Sequence, residues 1–144
     1  MSRTLFVAIS LTLSFSAIGQ DKYPVYIHST LSSNNQVGAS LLFELKEAIR
    51  GSMSFRLVED PKLWPYIKLS FVSQGESNNS SSATAMVLSY DSEAMPMNGA
   101  FITTTVQTCG MQKVKECARG LLPDIDLAIG RLQKEAPELW RTLR

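Results

Sequence analysis

The sequence is poor in the residue types that carry most protein chemistry. It has one histidine, His28, and two cysteines, Cys109 and Cys117. A structural zinc site takes about four ligands, so one imidazole and two thiols at this spacing do not make one. The two thiols also stand too far apart for the C-x-x-C arrangement of redox-active pairs. No G-x-S-x-G elbow frames a hydroxyl, and no glycine-rich stretch ending in lysine offers a phosphate loop. Charge of one sign is lacking as well, because 14 Lys and Arg face 13 Asp and Glu for a net charge of +1. That balance supplies no electrostatic footprint for nucleic acid and no polybasic surface for an anionic membrane. No internal repeat is visible.

What is present begins at the N-terminus. In "MSRTLFVAISLTLSFSAIGQDK", Arg3 precedes an apolar run from Leu5 to Ile18, and the small residues Ala17 and Gly19 follow as a signal peptidase requires. A signal peptide is therefore expected over residues 1–19, leaving residues 20–144 as a single exported domain, periplasmic or secreted. The competing reading is a membrane anchor. The run is shorter than the roughly 20 apolar residues that cross a bilayer, and polar Gln20, Asp21 and Lys22 follow it without a basic stop-transfer cluster. No cysteine follows the run to carry a lipoprotein anchor, and Arg3 alone does not make a twin-arginine signal. No second membrane span is read in the rest of the chain.

The remaining residues alternate between strand and helix patterns. "YPVYIHS" (Tyr23–Ser29) reads as a short strand, and Asn34 or Asn35 then offers an N-cap. Val37, Leu41, Leu45 and Ile49 recur at helical spacing, with Gly51 as the stop. "FRLVE" (Phe55–Glu59) returns as a strand, so a parallel, right-handed strand–helix–strand crossover is expected. In "YIKLSFVS", Ile67, Leu69 and Phe71 face one way and Tyr66, Lys68 and Ser70 the other. "QGESNNSSS" reads as a flexible loop containing sequons at Asn78 and Asn79. "ATAMVLSY" and "AFITTTVQT" complete an antiparallel meander. Val114, Ala118, Leu121, Ile125, Ile129 and Leu132 then mark a long helix, with a kink or break expected near Leu122 because of Gly120 and Pro123. Pro137 opens a last short helix. The predicted architecture is a single α+β domain of order β-α-β-β-β-β-α: a mixed sheet of about five strands, two helices on one face, and a C-terminal helical tail.

The segments "VYIHS", "ASLLFELKEAIRGSMSFRLVED" and "YIKLSFV" resemble the strand–helix–strand start of small α/β domains in bacterial envelope proteins. The TolB N-terminal domain and the lipopolysaccharide-assembly lipoprotein LptE are examples, although the lipobox cysteine of LptE and the propeller of TolB have no counterpart here. The resemblance implies a binding or assembly role at the envelope.

Candidate sites are few. In an oxidising compartment Cys109 and Cys117 are expected to form a disulfide joining the last strand to the long helix. His28, beside Ser29 and Thr30, is the only acid–base residue available to a small secreted hydrolase, and no carboxylate is identified to orient it. Glu59/Asp60 read as turn chemistry, and Asp124/Asp126 as acids in a first helical turn after Pro123. The polar loop Ser29–Asn35 has free amides before a helix but no phosphate-loop residues. The face carrying Tyr66, Lys68 and Ser70, with Thr103, Thr105 and Gln107, is either solvated or meets a partner. Leu139, Trp140 and Leu143 give the tail an apolar stripe that docks on the domain or grips a partner. The expected function is a non-enzymatic exported binding or envelope-accessory protein, without cofactor or metal, whose partner is another envelope or exported protein. An inhibitor or immunity-type partner and a hydrolase using His28 are the competing readings.

Overall fold

The computed structural model describes residues 22–60, 62, 65–92 and 99–141, without the side chains of residues 139 and 140. The expected signal peptide lies outside the described residues. The chain runs β1 (Tyr23–Leu31), α1 (Gln36–Gly51), β2 (Phe55–Val58), β3 (Tyr66–Gly75), β4 (Ser81–Asp91) and β5 (Ala100–Gly110). A 3-10 turn (Met111–Lys113), α2 (Val114–Glu135) and α3 (Pro137–Arg141) follow. The strands form one five-stranded sheet in the order β2-β1-β3-β4-β5. β1 pairs in parallel with both β2 and β3, while β3, β4 and β5 form an antiparallel meander. This is the α+β order expected from the sequence, with α1 and α2 packed on one face of a mixed sheet.

Side-chain alternation explains which face the helices cover. Residues paired directly across strands point to the same side of a sheet. Val25 pairs with Ile67 and Ile67 with Tyr90; Ile27 pairs with Leu69 and Leu69 with Leu88; Phe71 pairs with Met86. All of these are buried, and they meet Val37, Leu41, Leu45 and Ile49 of α1 and Val114, Ala118, Leu121, Ile125 and Ile129 of α2. α1 thus presents these residues at intervals of four and α2 at intervals of three and four, which is what a single buried helix face requires.

Two expectations are corrected, the break near Leu122 (as distinct from a kink) and the extent of the serine-rich loop. α2 runs without interruption from Val114 to Glu135, with Pro123 inside it. Pro123 removes one backbone donor, but Leu121 and Ile125 on either side are buried against the sheet and hold the helix together. The second correction concerns "QGESNNSSS". β3 continues to Gly75 and β4 resumes at Ser81, so only residues 76–80 form the hairpin loop. That loop is closed by bonds from the Glu76 amide to the Ser81 carbonyl (3.1 Å) and from the Asn79 amide to the Glu76 carbonyl (3.0 Å). Asn79 sits at φ 54°, a left-handed turn position that asparagine tolerates.

Candidate functional site

The start of α1 is fastened to the sheet by a buried polar cluster. Asn35 is the N-cap, and its Oδ1 accepts the Gly38 amide at 2.8 Å. Its Nδ2 donates to Ser73 Oγ and Ser82 Oγ, both at 3.1 Å. Ser73 Oγ lies 2.6 Å from Ser82 Oγ and 2.9 Å from Thr84 Oγ1, and Ser82 Oγ donates to the Gln74 carbonyl at 3.0 Å. Asn35, Ser73, Ser82 and Thr84 are all buried. A Cβ at Gly38 would come within 2.5 Å of Ser73 Oγ, and one at Gly75 within 2.9 Å of Asn35 Oδ1, so both glycines make room for the amide. The cluster pairs its own groups internally, which fits an anchor better than a ligand site.

The disulfide joins Cys109, at the end of β5, to Cys117 on α2, with the sulfurs 2.22 Å and the Cα atoms 6.2 Å apart. It also fixes which way β5 faces. Cys109 points towards α2, so Gln107, Thr105 and Thr103 do too, in register with Thr84, Met86 and Leu88. These three residues are therefore on the helix side and not with Lys68 and Ser70 on the open side. Gln107 there leaves a buried Nε2 with no hydrogen-bond partner in the structure. A register shift between Leu88 and Ser89 then returns Phe101 to the open face, opposite Ser89.

On the open face, one end is closed and the rest is uncovered. At the closed end Tyr66 is buried, and its ring lies 5.3 Å from that of Tyr26. Burial, then the negative charge of Asp91, then Tyr26, push the Tyr66 phenol above its ordinary range. Asp91 is itself buried, and its Oδ2 lies 3.7 Å from Lys68 Nζ. Gly99, at φ 77°, passes so close to this carboxylate that a Cβ would overlap Oδ1. Beyond this end the face carries His28 opposite Ser70, Thr30 opposite Val72, and Val72 opposite Ala85, which pairs with Val106. Val72, Val87, Phe101 and Val106 are 51%, 36%, 67% and 73% exposed. Strict alternation would send Phe101 and Val106, five residues apart, to opposite faces; the register shift at Leu88/Ser89 puts them on the same one.

The remaining candidates are placed as follows. His28 is exposed, and its cross-strand partner on β3 is Ser70. Asp60 Oδ1 accepts the Lys62 amide at 2.9 Å, the turn chemistry expected there, whereas Glu59 is ion-paired with Arg50 Nη2 of α1 at 3.0 Å. Asp124 and Asp126 lie in the middle of α2, so a first-turn dipole role does not apply to them. A groove of about 510 Å³ runs between β5 and the second half of α2, with Asp124, Leu127 and Arg131 along the helix side. Leu139 and Trp140 belong to α3, but their side chains, and Leu143, lie outside the described residues. Among the described residues no group of three or more His, Cys, Asp or Glu is placed to hold a metal. No described helix is long and apolar enough to cross a membrane. No protein-family model matches the chain, and no curated protein does.

Proposed function

We propose that the protein is a non-enzymatic exported module, periplasmic or secreted, that binds another envelope or exported protein through the helix-free face of its sheet. The observation that carries this reading is the set of exposed apolar residues on that face. Val72, Ala85 and Val106 form one row across β3, β4 and β5, Val87 lies diagonally from Val72 opposite Ser70, Phe101 is further along β5 opposite Ser89, and neither helix covers them. A one-sided antiparallel sheet normally turns a polar face to water. Neighbouring apolar side chains left on such a face are the usual mark of an interaction surface. Lys68, Ser70 and His28 supply polar groups around them, as an interface rim does. The resemblance to small envelope α/β domains and the signal-like N-terminus agree with the compartment.

The test pairs Thr30→Lys with Val72→Glu, two exposed neighbours on β1 and β3. Opposite charges across a strand pair keep the sheet intact while making the face unfit for an apolar partner. Purification from the envelope of the native host should recover a partner in stoichiometric amount with the unaltered protein and lose it with the double variant. Equal recovery by both proteins rules out this face as the binding surface.

A further inference from the structure

The sheet has two unlike edges. β2 has four residues, whereas β5 has eleven and, among the described residues, pairs only with β4. From Ala100 to Gly110 there is no proline and no charged residue, and six positions are β-branched: Ile102, Thr103, Thr104, Thr105, Val106 and Thr108. Natural sheets protect their edges with prolines, inward charges, bulges or short strands. Apart from the single register shift at Leu88/Ser89, β5 has none of these.

We propose that β5 is a dimerisation edge: two copies of the chain pair β5 with β5 in antiparallel sense across a two-fold axis, making one continuous sheet. The groove beside β5 argues for a second copy over any other occupant. Asp124 and Arg131 both line it and lie two helical turns apart, with Leu127 between them at 60% exposure. Among the described residues neither charge is in an ion pair. About an axis midway between them, each Asp124 meets the Arg131 of the other copy and the two Leu127 side chains meet in the middle. Such self-complementarity is what a two-fold interface demands of a surface. The strand fits the same axis. α2 doubles back along β5 from the disulfide, so the midpoint of the Asp124–Arg131 segment lies alongside the middle of β5, near Thr104. A ladder centred there brings Phe101 of one copy beside Val106 of the other, the two most exposed apolar residues of the strand at 67% and 73%. Phe101 and Val106 also belong to the open face, but the pairing needs no envelope partner, and it would set two open faces side by side.

The mass of the purified, disulfide-bonded protein should be followed by sedimentation over a wide concentration series. The unaltered protein should run at twice the chain mass. Val106→Lys changes an exposed side chain and should give monomer at the same concentrations, with an unchanged far-UV circular dichroism spectrum. Arg131→Asp should weaken association about tenfold or more, through like charges now facing across the axis. Adding Asp124→Arg to it should restore the dimer. An unaltered protein that stays monomeric throughout overturns the proposal. So does a dimer indifferent to both Val106→Lys and Arg131→Asp, or a double charge exchange that fails to restore association. Loss of envelope partner by the Thr30/Val72 variant would leave these masses unchanged, so the two readings fail separately.

Discussion

β3 shows two neighbouring residues with opposite fates. Phe71 is fully buried under the helices, while Val72, the next residue, is half exposed on the other face. Strand geometry sends successive side chains to opposite sides, so the difference between them reflects the layer above each face and not their own hydrophobicity. The same strand also shows where the rule stops. Ser73 is polar, yet buried on the helix side because Asn35 and Ser82 satisfy it. Tyr66 is on the open side, yet buried beside Tyr26 and near the Asp91 charge. A polar group goes inside when a partner waits there, and an apolar one stays outside when nothing covers it.

Substitutions can test how unequal the two faces are. Phe71→Ala should cost about 3–5 kcal/mol in chemical denaturation, as large aromatic truncations in cores do, and Val72→Ala less than about 0.5 kcal/mol, as exposed substitutions do. Equal costs would mean that the open face is covered in the folded protein. Next comes the disulfide on the helix side. Replacing Cys109 and Cys117 together by Ala should lower stability by about 2–3 kcal/mol, the chain-entropy value for so short a loop. Asn35→Ala should cost about 2 kcal/mol, because it removes the cap of α1 and takes a hydrogen-bond donor from both Ser73 and Ser82. Asn35→Asp should not restore it, since the carboxylate has no N–H to give them. The smallest effect is on the open side. The Tyr66 pKa is raised above its ordinary 10.0, so the unfolded chain loses this proton first. The stability linked to it is therefore complete below pH 10 and is lost as pH rises through the folded value. Denaturation followed from pH 8 to pH 11 should show this alkaline loss, and Tyr66→Phe should flatten it.

Apolar periodicity made most of the fold legible. The spacing of Val37, Leu41, Leu45 and Ile49, and the alternation of Ile67, Leu69 and Phe71, identify a helix and a strand and assign their buried sides. The missed features have physical causes. Ser82 looked like loop because polarity alone cannot distinguish a solvated serine from one bonded to a buried amide. Thr103, Thr105 and Gln107 went to the wrong face because β5 has no apolar alternation to orient it. Yet the expected Cys109–Cys117 bond already contained the answer, since a cysteine bonded to α2 forces every second residue before it towards the same side. Pro123 argued for a break because local propensity weighed more in the sequence than the burial of Leu121 and Ile125 did.

The central place of β1 sets the order in which the molecule can form. Among the described strands β1 comes first in the chain, yet it lies between β2 and β3 and is not paired on both sides until both have been made. β3, β4 and β5, by contrast, pair through nearby hairpins and can zip together locally. Contacts distant in sequence close slowly, because the loop between them must be ordered first. The late meander is thus the natural nucleus, and the N-terminal strand is inserted against it, with Asn35 reaching Ser73 and Ser82 as the last latch. Circular permutation that opens the chain between β2 and β3 and joins the old ends would make β3 the first strand synthesised, and should speed refolding without altering the final sheet.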